Sequence, residues 1–264
     1  QLPLTGPVRS ARDQFIQLLL PLNAIYVHIG SSTYAKEMLN YFSYQDIDGI
    51  YLGSTAFYFD AERRKSKASE HCWYTNAELV AAGLAKIGLS DQGALRPVFH
   101  FTNPSGPKVT VKDGEAKNIS FRFSDYADAA FTYDEASGLY LKSEFAIPQM
   151  DTISGTQLGF NNLFILSTSV TFKPDGFCTD FDFSSGDGYY FTGGKFQRIR
   201  WKKGQPEDPL VLTAQDGTEL TVNCGRSYVA FVDHTRFSSI SITGAAEAAP
   251  ASSDPPAADP APQG

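Results

Sequence analysis

From about residue 98 to residue 243, apolar residues return at every second position in short runs cut by turn pairs. The runs include "VTVKD", "NISFRFS", "AAFTYD", "GLYLKSE", "NNLFILSTSVTF", "GYYFTGG", "FQRIRWKK", "TELTVN" and "SYVAFVD". Between them stand Asp113-Gly114, Ser137-Gly138, Gly193-Gly194 and Asp216-Gly217. A period of two places alternate side chains on opposite faces of a strand, and glycine-bearing pairs suit tight hairpins. The pattern predicts an antiparallel β-rich domain over 98–243, a sandwich or a strongly curved sheet. Aromatics spaced this way, among them Phe131, Tyr140, Tyr190, Phe191 and Trp201, belong first to a core. Any ring left on an open face would offer sugars a stacking surface.

Residues 1–97 follow a different rule, with helical and extended patterns in alternation. Ser10 with Asp13 three residues on predicts a helix N-terminus, and Pro21 its end. "AIYVHIG" predicts a buried strand, "SSTYAKEMLNYF" a helix, and "DIDGIYLG" a second strand ending at Gly53. "FDAERRKSKASEHC" predicts a loop, and "TNAELVAAGLAKIG" a helix capped by Thr75 with Glu78 completing the box. Strands separated by helices imply a mainly parallel sheet with covered faces. The expected class is α+β: an N-terminal α/β domain over 1–97, then the β-rich domain. Residues 244–264, rich in Ala and Pro and without large apolar side chains, are expected to form a disordered tail.

Several function classes are excluded. The formal net charge is −7 with no basic stripe, which argues against nucleic acid as a partner. No apolar run approaches the roughly 18 residues of a membrane span. Cys72, Cys178 and Cys224 lack CxxC spacing or a nearby His pair, so neither a metal nor a cofactor is expected. Cys178 and Cys224 are either a disulfide, in an exported protein, or two free thiols. No GxSxG elbow, HExxH, phosphate-binding loop or dinucleotide fingerprint occurs. His71-Cys72 are neighbours that cannot readily face each other as a catalytic pair.

"GPVRSAR", "IYVHIGSS", "DIDGIYLG", "YDEASGLYLKS", "DGYYFTGGKFQRIRWKK" and "DGTELTVNCGRSYVAFV", in this order, resemble the YerB-like family of candidate bacterial lipoproteins. These carry the N- and C-terminal parts of domain of unknown function 3048. The resemblance runs from about Gly6 to Asp233. It implies an extracytoplasmic protein whose contact with the membrane is a lipid anchor upstream of Gln1, together with a missing acidic, glycine-rich segment. Gln149 stands where the family tends to carry His, so no acid–base role is implied there.

The candidate site lies in the N-terminal part. Arg9 and Arg12 place cations at a predicted helix start, where a partial positive charge already resides. Ser10, Arg12 and the free N–H groups of the first turn would together suit an anion. His28, Ser31 and Ser32 follow the first strand, at the end where open α/β sheets take ligands, and Arg63 and Arg64 sit on the basic loop. These residues suggest a pocket for an anionic envelope ligand, a carboxylate-bearing peptide or a phosphorylated glycan, or a surface for an envelope protein. The opposing expectation is internal: arginines paired with Asp13, Asp46 or Asp48, and His28 a hydrogen-bonded core residue. The sequence therefore points to a binding or scaffolding module rather than an enzyme. The alternative is a cell-wall hydrolase with its active site in the N-terminal cleft, for which Asp46 and Asp48 are compatible carboxylates.

Overall fold

Short helices and short strands alternate at the start of the chain. The computed structural model describes residues 3–93 and 96–244. Its first elements are α1 (Asp13–Leu19), β1 (Tyr26–His28), α2 (Thr33–Tyr41), β2 (Asp46–Asp48), α3 (Gly49–Leu52), β3 (Tyr58–Phe59), β4 (Trp73–Tyr74) and α4 (Ala77–Ile87). β1 and β2 pair in parallel, and β3 and β4 form a separate antiparallel pair. Side-chain alternation sends Val27, Ile29 and Ile47 to one face of β1 and β2, where they pack with Phe57 and with Val80 and Leu84 of α4. Tyr26 packs on the other face with Ile16 of α1 and Ala35 and Leu39 of α2.

Among the described residues no later strand joins β1 and β2. Residues 9–11 instead run extended beside the end of β1: the Ile29 amide donates to the Arg9 carbonyl at 3.1 Å, and the Ala11 amide to the Gly30 carbonyl at 2.8 Å. This pairing moves the first helix. It starts at Asp13 with Arg12 in the cap position and no side-chain cap, so Ser10 is not the N-cap that its spacing predicts. The start of α4 also shifts by one residue. Asn76 accepts from the Leu79 amide at 2.9 Å, while the Thr75 hydroxyl turns inward to donate to the Ala56 carbonyl at 2.8 Å. The expected strand through Gly53 stops at Asp48, whose carboxylate accepts from the Ile50 amide at 2.9 Å and caps α3.

The second part is two stacked sheets. After β5 (His100–Phe101) and β6 (Gly114–Glu115) come β7 (Asn118–Ser124), β8 (Ala127–Asp134), β9 (Leu139–Glu144), β10 (Ile147–Pro148) and β11 (Gly159–Phe160). β12 (Asn162–Thr168), β13 (Val170–Phe172), β14 (Thr179–Phe181), β15 (Ser185–Thr192) and β16 (Lys195–Lys202) follow. The described chain ends with β17 (Val211–Ala214), β18 (Thr221–Val222), β19 (Ser227–Asp233), α5 (His234–Phe237) and β20 (Ser241–Thr243). One sheet has the order β10-β9-β8-β7-β20 with β11 added on β9; the other runs β17-β16-β15-β12-β19 with β6 added on β16. Pairing in these two sheets is antiparallel except between β12 and β19. β15 and β16 are joined by Gly193-Gly194 at φ 60° and 75°, the two positive values that a two-residue hairpin of this hand requires. The protein is thus mostly sheet with few helices, an α+β fold.

The inner faces of the sheets meet through Ile119, Phe121, Phe131, Tyr140, Leu163, Ile165 and Phe191. β12 is buried on both faces, because Phe164 and Leu166 enter a second core with Tyr190, Ile199, Trp201 and Val222. That double burial explains the unbroken apolar run of its sequence. The second core is covered by Val111 and Phe99 and by Leu18 of α1. "VTVKD" forms no strand. It is held instead by Asn223, which bonds the Val109 amide (2.8 Å) and carbonyl (2.9 Å). The cysteines are free thiols, and the Ala- and Pro-rich stretch from 245 onward lies outside the described residues.

α1 is anchored on the second part by charge. Asp13 is almost wholly buried, and its carboxylate lies 3.0 Å from Lys173 Nζ, which also reaches Asp180 at 2.7 Å. Gln14 Nε2 donates to the Thr179 carbonyl. A buried carboxylate left without its cation is costly, whereas an exposed partner matters little. Lys173→Met is therefore expected to lower unfolding free energy by about 3–5 kcal/mol, and Asp180→Asn by less than about 1 kcal/mol, both read from urea denaturation. Equal effects would show that the buried pair is not the anchor.

Candidate functional site

A hollow of about 580 Å³ opens beside the C-terminal ends of β1 and β2. The parallel register sets Tyr26 beside Asp46 and His28 beside Asp48, and the period of two puts all four on the face toward α2. α2 supplies the opposite wall with Lys36 and Asn40, and Ser43 follows one turn on. Ser31 and the half-exposed Asp46 and Asp48 carboxylates complete the polar lining.

His28 forms the floor and is 1% exposed. Its Nε2 lies 2.6 Å from Asp46 Oδ2, and its Nδ1 lies 2.8 Å from the Gly30 carbonyl and 3.8 Å from Asp48 Oδ1. A carbonyl can only accept, so Nδ1 carries a hydrogen; the Asp46 carboxylate asks the same of Nε2. Both ring nitrogens thus face acceptors, an arrangement that favours the imidazolium. Burial pushes its pKa down, but the hydrogen bonds to Asp46 and Gly30 and the charges of Asp46 and Asp48 outweigh burial and leave it above the ordinary histidine value. Gly30 makes the geometry possible. At φ 73° its carbonyl turns back to Nδ1 while its amide donates to Asp48 Oδ1 at 3.1 Å, an arrangement in the left-handed region that favours glycine.

With both ring nitrogens held by protein acceptors, His28 has none available to take a proton from a ligand. It fixes one oxygen of Asp46, and backbone amides fix one oxygen of Asp48. The second oxygen of each carboxylate is left out of these bonds, in a hollow that also offers an ammonium, an amide and hydroxyls. Among the described residues no group of three or more His, Cys, Asp or Glu can hold a metal ion.

Of the residues singled out in the sequence, the structure brings His28 and Ser31 to this hollow. Ser32 instead caps α2, accepting from the Ala35 amide at 3.1 Å. Ser10 sits behind Gly30, away from the lining. The arginines are elsewhere. Arg9 Nη1 lies 3.2 Å from His71 Nδ1, and Arg63 Nε donates to the His71 carbonyl at 2.9 Å, so these two flank one exposed histidine turn. Arg12 bonds the Ala11 carbonyl at 2.9 Å and Arg64 the Lys67 carbonyl at 3.2 Å. The expected internal pairs are not made either: Asp13 goes to Lys173, while Asp46 and Asp48 go to His28. Lys36, Asn40 and Ser43 escaped the sequence reading. The i, i+4 spacing of Lys36 and Asn40 on one helix face was the available signal for these two, while Ser43 lies beyond the end of α2 and had none.

This arrangement belongs to a recognisable class. The DUF3048 family models match twice, "Protein of unknown function (DUF3048) N-terminal domain" over residues 2–90 and the corresponding "C-terminal domain" over residues 118–229. The chain belongs to the YerB-like DUF3048 family. The Bacillus subtilis (strain 168) protein named "Putative lipoprotein YerB" is 24% identical over 246 residues, covering 91% of this chain and 71% of that protein. A crystal structure of the YerB protein from Bacillus subtilis superposes with a TM-score of 0.76 at 23% identity, over 92% of this chain and 79% of that one. No helix among the described residues is long and apolar enough to cross a membrane.

Because the folded state raises the pKa of His28, the stability that its charge contributes is complete below the ordinary histidine pKa near 6.5 and is lost as pH rises through the higher folded value. The difference in unfolding free energy between wild type and His28→Gln should accordingly be largest near pH 6 and shrink toward pH 9. Urea titrations across that range measure it, and a constant difference would mean that folding leaves the ring's proton affinity unchanged.

Proposed function

We propose that this chain is the ectodomain of an envelope lipoprotein that works as a binding module, with the β1–β2 hollow holding a hydroxyl- and amine-bearing segment of cell-wall glycan. The lipoprotein character is inferred from the name that the Bacillus subtilis relative carries. The ligand class is inferred from one observation, the pairing of two carboxylates with an internally saturated His28. Carboxylate and amide groups side by side accept from and donate to sugar hydroxyls or an amino group, and neither asks for proton transfer. An anionic ligand fits this hollow less well, since Lys36 faces both Asp46 and Asp48 there. For an anion, Arg9 and Arg63 around His71 are the better rim. The hydrolase alternative rests on Asp46 and Asp48 alone, because no side chain with a free proton-accepting nitrogen stands beside them among the described residues.

The test is titration of the isotope-labelled protein with muramidase-released peptidoglycan fragments, followed by amide shifts. Shifts should cluster at residues 28–50. Asn40→Ala and Lys36→Ala should each weaken binding roughly tenfold, the worth of one or two polar contacts, without changing stability. Shifts centred on Arg9, Arg63 and His71 would instead favour the anion rim, and cleavage of the fragments would favour the hydrolase.

A further inference from the structure

A second cavity lies between α1 and the sheet that contains β12, and its chemistry is the reverse of the first. It encloses about 420 Å³, within the range of small-molecule sites. Leu18 of α1 and Pro21 close one side; Phe99, Leu210 and Phe231 form the other. Trp201 backs this wall, with its ring centroid 5.2 Å from that of Phe231.

One buried charge interrupts the apolar lining. Lys203 is 6% exposed, and its Nζ donates to the Gln205 carbonyl at 2.9 Å and the Pro206 carbonyl at 2.7 Å. An ammonium has three hydrogens, so two carbonyls leave one unassigned. Among the described residues no carboxylate lies within 4 Å of it to form an ion pair, although Glu207 and Asp208 are near enough in the next turn to be felt. Burial holds the Lys203 pKa below the ordinary lysine value despite them. Buried cations are ordinarily paired, since desolvation otherwise costs several kcal/mol. Arg96 at the mouth adds a second positive charge, opposed by Glu207 at the same rim.

We propose that this cavity binds an amphipathic monocarboxylate, its aliphatic chain among Leu18, Phe99, Leu210 and Phe231 and its carboxylate on the free hydrogen of Lys203. Apolar burial supplies the affinity and the single ammonium the head-group selectivity. The site stands apart from the β1–β2 hollow, and nothing in this inference depends on the reading given to that hollow.

Decanoate, used below its micelle concentration, is the probe, and 1-decanol is the uncharged control, both titrated calorimetrically into the full chain. Wild type should bind decanoate with a Kd below about 1 mM and more tightly than decanol. Lys203→Met should weaken decanoate at least tenfold and leave decanol unchanged. Should that variant fail to fold, Val229→Trp, at the partly exposed rim of the cavity, should abolish both ligands while circular dichroism stays that of wild type. Absence of decanoate binding to the folded wild type, equal decanoate affinity in Lys203→Met, or full binding by Val229→Trp would each overturn the proposal.

Discussion

The buried carboxylate of Asp13 must be neutralised, and the chain meets that demand from far away in sequence, with Lys173 at the end of the β13–β14 hairpin. This pair sets α1 on the second part of the molecule. Much goes with this seating: Leu18 reaches the core behind β12 and, with Pro21, closes one side of the apolar cavity. One Asp13 oxygen is buried with no hydrogen-bond partner among the described residues. An unsatisfied oxygen of this kind marks a contact whose strength comes from charge neutralisation rather than from complete hydrogen bonding.

The two hollows illustrate opposite ways of managing a buried charge. At β1 and β2 the cation is His28, and the protein itself surrounds it with two carboxylates and a carbonyl, so the floor is rigid and its acids are already oriented. A ligand of the kind proposed would meet an arranged set of acceptors and donors there, which lowers the ordering cost of binding. At Lys203 the protein supplies carbonyls but, among the described residues, no counter-charge within ion-pair reach. A site of the first kind selects by hydrogen-bond geometry, one of the second kind by sign of charge and apolar length.

Family membership and fold travel together here, but function does not follow from either. The likeness to the Bacillus subtilis YerB structure, at 23% identity, establishes a shared architecture. What a fold carries in its clefts is set by individual side chains. The case for binding accordingly rests on Asp46, Asp48, Lys36 and Asn40, and the case for a second ligand on Lys203.

Local rules were enough for much of the chain. Alternation and turn pairs marked β7, β8, β9, β15, β16 and β19, and the periodic stretch from Thr33 marked α2, because strand and helix faces are written in neighbouring residues. His28 and Ser31 were visible as polar residues closing an apolar strand. What sequence could not decide was everything set by partners distant in the chain. Ser10 carried a cap signature, yet backbone pairing of residues 9–11 with the end of β1 displaced the helix start to Asp13. Arg9 and Arg63 had no local cue to meet at His71, nor Asp13 to leave the arginines for Lys173. Lys203 reads as one more base in "RIRWKK" until packing buries it. Propensity and period act over a few residues, so they determined which segments are strands or helices; burial and charge pairing act between segments, so only the tertiary structure decided which side chains share a hollow.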